Sequence, residues 1–100
     1  MSQLEAVGSR PEFESVDLEI AVDAAHRHVT DAIRGLNAAE SEEGRKYRTS
    51  DGMLVAILGT GRDGAGENAT LVYRTAPPSE TATRKARKVF EALESHAVSR

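Results

Sequence analysis

The chain has 100 residues, of which 39% are hydrophobic and 29% charged, and its formal net charge at pH 7 is −3. This length fits one domain with one modest core, and the acidic balance disfavours a protein whose whole surface binds nucleic acid. The chain contains no cysteine, which excludes disulfides, thiolate metal sites and cysteine nucleophiles.

The composition predicts a cytoplasmic protein. Residues 1–7 are neither basic nor followed by the apolar run of a secretory signal. The longest apolar stretch, residues 53–58, is far too short to span a membrane. Arginine outnumbers lysine by ten to three, which indicates a prokaryote with a GC-rich genome or one adapted to salt. We expect residues 1–11 to form a loose N-terminal arm and residues 12–100 a single domain.

An alternation of apolar and polar residues from Val16 to Val22 predicts the first strand. Asp23 is then the predicted N-cap of a helix. The polar segment 37–44 is typical of a loop, with or without extra helical turns, and its glutamates fit a solvated surface better than an acid–base pair. The apolar stripe of the helix consists of Ala25, Val29, Ala32, Ile33 and Leu36.

A hairpin is predicted where Asp51-Gly52 separates two β-prone runs, because this dipeptide favours a two-residue type I′ turn. Such a turn pairs Thr49 with Leu54 and Tyr47 with Ala56. Side-chain alternation then places Leu54, Ala56 and Leu58 on one face of the middle strand, and Met53, Val55 and Ile57 on the other. Because this strand is apolar on both faces, it must be covered on both sides.

The remainder of the chain predicts a glycine-rich loop over residues 59–68, a strand over 70–75 and a final helix capped by Ser79. The order is therefore β-α-β-β-β-α. It favours an α+β domain of two layers, with an antiparallel sheet and both helices on one face. The apolar stripe of the last helix consists of Ala82, Ala86, Val89, Phe90, Leu93 and Ala97.

The uncovered face of this sheet predicts self-association. It would present Met53, Val55, Ile57 and Val72, and contiguous apolar patches on monomers mark interfaces. A symmetric dimer is the commonest arrangement. The sequence therefore predicts a homodimeric binding or assembly module without catalysis. An apolar small ligand held between the sheet and the helices is an alternative.

A basic cluster on the last helix, Arg84, Lys85, Arg87 and Lys88, offers phosphate contacts to nucleic acid, although a solvated helix face has the same pattern. Residues 83–93 resemble the second helix of double-stranded RNA-binding domains, and the α-β-β-β-α order from Asp23 onward resembles that fold. The resemblance implies that the four cations contact an RNA backbone. The chain departs from the family in its additional first strand, and Asp51-Gly52 replaces the family's Gly-Pro-His loop.

Residues 16–23 running into a helix, followed by a meander and a long final helix, resemble the START-like helix-grip domains. The resemblance covers the ends of the chain and implies a topology rather than an activity. Those domains are longer and use additional strands to close a ligand cavity.

Other patterns predict no metal, cofactor or catalytic site. The G-x-G-x-x-G match at residues 59–64 continues into a strand, whereas a dinucleotide-binding turn opens into a helix. His26 and His28 lie two positions apart on a helix and so point to different faces, while His96 is near the end of the chain. No serine lies in a nucleophile elbow.

Overall fold

The structure is a computed structural model in which residues 11–33, 36–41, 44–60, 68–76 and 80–98 are described. These residues form an α+β domain in which an antiparallel sheet carries both helices on one face, and the predicted fold class is confirmed. The elements in chain order are β1 (Phe13–Ala21), α1 (Val22–Ala32), β2 (Asn37–Ser41), β3 (Gly44–Arg48), β4 (Leu54–Thr60), β5 (Asn68–Arg74), α2 (Glu80–Leu93) and a 3₁₀ turn (Glu94–His96).

The strands of the described chain lie in the order β1-β5-β4-β3-β2, and every neighbouring pair is antiparallel. The first and last strands in the sequence are neighbours in the sheet, so the sheet is complete only when these distant parts of the chain pair. β1 pairs with β5 regularly from Phe13 to Asp17, and the register then shifts before Ala21. The chain passes directly from β1 into α1 through Ala21, whose backbone is still extended.

The larger of two hydrophobic clusters lies between the sheet and the helices. α1 and α2 contact each other, and both lie over β4 and β5. Burying an aliphatic side chain of this kind contributes about 1.5–3 kcal/mol before entropic costs. The large side chains that are least exposed in this layer are Leu18, Val29, Tyr47, Val55, Leu58, Leu71, Val89 and Leu93.

The bounds of α1 differ from the prediction at both ends. The helix begins at Val22, after an N-cap residue, Ala21, that has no side-chain hydrogen bond to offer. The predicted N-cap, Asp23, lies instead in the first turn, where its negative charge suits the positive end of the helix dipole. The helix ends at Ala32, and Ile33 is already extended. Of the predicted stripe, Ala32 is exposed.

The prediction of a loop over residues 37–44 is wrong for its described part. Residues 37–41 form β2, which pairs with β3 from Asn37 opposite Arg48 to Ser41 opposite Gly44. Alanine and asparagine have low β propensity, but pairing with an adjacent strand outweighs that weak preference. Residues 42–43, like residues 1–10, 61–67 and the predicted cap at Ser79, lie outside the described part of the chain.

The turn between β3 and β4 is not the predicted type I′ turn. Gly52 has a positive φ of 91°, but Asp51 does not. The Gly52 N–H donates to the Thr49 carbonyl at 3.0 Å, and the Thr49 N–H donates to the Met53 carbonyl at 2.9 Å. This pattern is that of a three-residue loop, in which a type I turn is followed by a glycine bulge.

A bulge in β4 compensates for the longer loop. Arg48 pairs with Leu54, yet the next residue, Tyr47, pairs with Ala56. Val55 is therefore the extra residue, and the pairing predicted for Tyr47 is restored. Because one inserted residue inverts the alternation of side chains, Leu54 lies on the face away from the helices and Val55 packs into the helix-side core.

Candidate functional site

The four residues predicted to form an interface do not share one face. Val55 is fully buried in the helix-side core, and Met53 packs against that same core. Ile57 and Val72 are cross-strand partners on the opposite face, where they cluster with Phe13. The prediction of a single apolar face is wrong because the bulge at Val55 divides it.

The two residues that do lie on the opposite face are closed to solvent. Ile57 is 2% exposed and Val72 is 0% exposed. Arg74 lies on the same face: its Nε donates to the Leu54 carbonyl at 2.8 Å, and its guanidinium carbon lies 4.7 Å from the centre of the Phe13 ring. The one large hydrophobic side chain exposed in the described chain is Val98. Self-association therefore needs a different surface.

The two edges of the sheet differ in how they are covered. At β1, the Val98 N–H donates to the Asp17 carbonyl at 2.8 Å, and Leu18 forms a bridge with Ala97. This contact and the register shift beside it interrupt the β1 edge. At β2, no described residue pairs with the outer side of residues 37–41, which we call the free edge. Its described side chains at 37–39 are exposed.

The basic cluster lies where the sequence predicts it, on the outer side of α2. Arg84, Arg87 and Lys88 are exposed and Lys85 is half-buried. Four small or apolar residues of α2 are buried and turn this face outward: Ala82, Ala86, Val89 and Leu93. Arg84 and Arg87 line a cavity of about 300 Å³ together with Glu80 and Thr83. Neither arginine forms an ion pair with a described residue.

A second cavity, of about 260 Å³, adjoins the first, since Thr83 and Arg87 line both. It contains a stacked aromatic pair, Tyr73 of β5 and Phe90 of α2, whose ring centroids lie 4.9 Å apart. The Tyr73 hydroxyl donates to Glu14 Oε2 at 3.1 Å. Burial, and then the bond to Glu14, raises the pKa of Tyr73, so this phenol stays a neutral donor.

Sequence reasoning missed this aromatic pair. Phe90 belongs to the predicted apolar stripe of the last helix, yet both Tyr73 and Phe90 are only half-buried. Glu14 lay before the predicted first strand. The alternation carries no signal for it, because Glu14 falls where the pattern of Val16 and Leu18 expects an apolar residue. The pairing of Glu14 with Tyr73 depends on the contact between β1 and β5.

Two histidines make contacts between α1 and other elements. His26 Nδ1 lies 2.7 Å from the Tyr47 hydroxyl, which gives this buried phenol its hydrogen-bond partner. Burial raises the pKa of Tyr47 far above its usual value. The rings of His28 and His96 lie 4.6 Å apart. The described residues contain no group of three or more His, Cys, Asp or Glu that could hold a metal ion.

No protein-family model matches this chain, and comparison with curated proteins and with solved structures finds no similar protein. The resemblances to double-stranded RNA-binding and START-like domains therefore stay predictions. Within the described residues, neither helix is long and apolar enough to cross a membrane.

Proposed function

We propose that this protein is a self-associating module and that two copies join through the free edge of β2. The observation that supports this is that no described residue pairs with the outer side of residues 37–41, in a sheet whose other edge is interrupted by Ala97 and Val98. An edge strand presents backbone N–H and C=O groups that can pair with another strand. The arginine-rich composition leads us to propose the cytoplasm of a prokaryote as the setting.

The sequence of β2 suits pairing with a second copy of itself. Natural edges are commonly protected by charged side chains, above all Lys, by Pro or by a bulge. Asn37–Ser41 has one charged residue, Glu40, contains no Lys or Pro, and pairs with β3 without a register shift. Ala38 and Ala39 are small and exposed, so neither presents a bulky or charged side chain to its cross-strand neighbour in a second copy.

The pairing is antiparallel about a two-fold axis, as in most symmetric dimers. The register that pairs all five residues of β2 with all five of its copy places Ala39 on the axis. The two sheets then continue as one. A five-residue edge buries less surface than a standard interface, so the association is weak and depends on concentration.

The substitution Ala39→Glu tests this proposal. Within one chain, Ala39 lies opposite Lys46, so a carboxylate at this position is favourable in the monomer. On the two-fold axis, the same substitution brings two carboxylates directly opposite each other, which opposes pairing. We expect light scattering behind a sizing column to show a concentration-dependent dimer for the wild type and a monomer for Ala39→Glu.

Ser95→Glu is the matched control, because Ser95 is exposed in the 3₁₀ turn far along the chain from β2 and the charge change is the same. It should dimerise like the wild type. Circular dichroism would establish that both variants are folded. A wild type that stays monomeric at the highest soluble concentration would contradict the proposal, as would an unchanged dimer in Ala39→Glu.

Two alternatives remain for the same module. Binding of double-stranded RNA is favoured by the exposure of Arg84, Arg87 and Lys88, and it predicts salt-dependent affinity to which the cations contribute alike. An apolar ligand between the sheet and the helices would have to fit among Leu58, Leu71 and other side chains of 0% exposure. Co-purified apolar small molecules would support that second alternative.

A further inference from the structure

The outer face of α2 carries a groove that self-association does not use. The two cavities, of about 300 and 260 Å³, have Thr83 and Arg87 in common and so lie side by side, and we call the pair the α2 groove. One end lies along α2 itself, where Glu80, Thr83, Arg84 and Arg87 fall on a single helical face. The other end lies between α2 and the paired strands β1 and β5.

The helical end of the α2 groove is suited to an anionic group. Arg84 and Arg87 lie three positions apart and therefore project side by side. A guanidinium donates two parallel hydrogen bonds to a phosphate or carboxylate, so two of them can hold one phosphate from both sides. Glu80 lines the same end, but its one negative charge is outnumbered by the two positive guanidiniums, so this end stays positive.

The other end of the α2 groove is suited to a flat ring. Tyr73 and Phe90 are already stacked with an angle of 21° between their planes, and both remain partly open to solvent. Glu14 holds the Tyr73 hydroxyl and lines the same cavity. Its carboxylate oxygens are acceptors for a ring amine. Aromatic side chains of this kind are a common platform for nucleobases.

The spacing of the two ends fits one small molecule. Phe90 lies six positions after Arg84 in the helix, which is about 9 Å along the axis. We propose that the α2 groove binds a phosphorylated aromatic compound of the nucleoside monophosphate class. The phosphate lies between Arg84 and Arg87, and the base packs against Tyr73 and Phe90 with its amine toward Glu14.

Adenosine monophosphate is the probe for the first test, by titration calorimetry and by NMR shifts of α2 and β5. Saturable binding is expected, with affinities for adenosine and for inorganic phosphate at least about tenfold weaker because each contacts only one end. Arg87→Gln and Phe90→Leu should each weaken adenosine monophosphate by about tenfold or more. No saturation at millimolar concentration would overturn the proposal.

Lys88→Gln is the matched control for charge. Lys88 is exposed on α2 beside Arg87 but lines neither cavity, so affinity should stay within about twofold of the wild type. Equal losses in Lys88→Gln and Arg87→Gln would overturn the proposal in favour of unspecific attraction. Phe90→Leu without effect would do so as well, since attraction by charge alone does not need a ring.

Two RNA probes separate the sources of the same ligand chemistry. A short RNA single strand is expected to compete with adenosine monophosphate and to lose affinity in Arg87→Gln and Phe90→Leu. This result supports the site and identifies its occupant as one nucleotide of a polymer. An RNA duplex gives the opposite result if it binds more tightly than adenosine monophosphate, loses affinity equally in all cation variants and loses none in Phe90→Leu. That result contradicts binding in the α2 groove and supports the double-stranded RNA alternative.

Discussion

At the scale of single residues, Thr49 holds the turn between β3 and β4. Its side chain is 3% exposed, and its hydroxyl accepts the Met53 N–H at 3.1 Å while donating to Asp51 Oδ1. Thr49→Val keeps the shape of the side chain but removes both bonds, so it should lower the free energy of unfolding by about 1–2 kcal/mol. Urea unfolding would measure this loss.

Thr49→Ser is the control, since it keeps the hydroxyl, and its loss should be clearly the smaller of the two. The difference in free energy of unfolding between the wild type and Thr49→Val should also become smaller in acid. The Thr49 hydroxyl, above all, lowers the pKa of Asp51 below its usual 3.8. A carboxyl with a lowered pKa stabilises the fold above its unfolded pKa, and this contribution is lost as pH falls through the folded pKa. A gap that is constant from pH 7 to about pH 3 would contradict this role.

At the scale of elements, the sequence predicts segments with a long hydrophobic period, and it does not predict a short strand or a bulge that depends on the neighbouring strand. The alternation in β1 and the apolar stripe of α2 locate these elements, because each has enough consecutive residues to define a period. β2 lacked such a signal: Asn37–Ser41 is a strand because β3 lies beside it. The bulge at Val55 has no signature in the sequence, yet it decides which face Leu54 and Val55 occupy.

The same contrast applies to the functional surfaces. The outward position of Arg84, Arg87 and Lys88 follows from helical spacing alone, and the sequence predicts it. The stacking of Tyr73 on Phe90 depends on how α2 lies across β5. The prediction that Met53, Val55, Ile57 and Val72 share one face is wrong, because a pattern of period two carries no information on an inserted residue.

Two glycines should differ sharply in their tolerance of a side chain. Gly44 of β3 has a φ of 139°, and a Cβ there would lie 2.0 Å from the backbone oxygen of Leu58. Gly52 has a φ of 91° with no atom within 4 Å of the Cβ position. Gly52→Ala therefore costs only the positive φ, about 1–2 kcal/mol, whereas Gly44→Ala must also displace β4.

Thermal and urea unfolding of the two variants would measure this difference. We expect Gly44→Ala to lose at least about 3 kcal/mol, because it combines backbone strain with a clash that no side-chain rotation relieves. Gly52→Asn is a further control, since asparagine tolerates positive φ better than alanine. Equal losses in Gly44→Ala and Gly52→Ala would show that β3 can move away from Leu58.

At the scale of the whole molecule, the sheet has two edges, β1 and β2, and among the described residues β2 is the one that no other segment contacts on its outer side. The C-terminal segment adds a backbone contact at Asp17 and Leu18, where the register of β1 also shifts. Breaks of this kind are how natural sheets discourage edge-to-edge association. With one free edge per copy, pairing about a two-fold axis closes after two molecules.

Removing residues 97–100 should therefore change the size of the assembly. The deletion takes away the Val98 N–H that bonds to the Asp17 carbonyl and opens β1 as a second edge. Because α2 ends at Leu93, the deletion keeps every buried residue of the helix-side core and removes only Ala97 from its margin. A chain with two open edges can pair at both ends, which gives open-ended association. We expect light scattering to show species larger than the dimer.

The substitution Ala39→Glu in the shortened chain should return these species to dimers joined through β1. Val98→Ser in the full chain keeps the backbone bond and should leave the dimer unchanged. A shortened chain with the mass distribution of the full one would mean that residues 97 and 98 do not limit assembly.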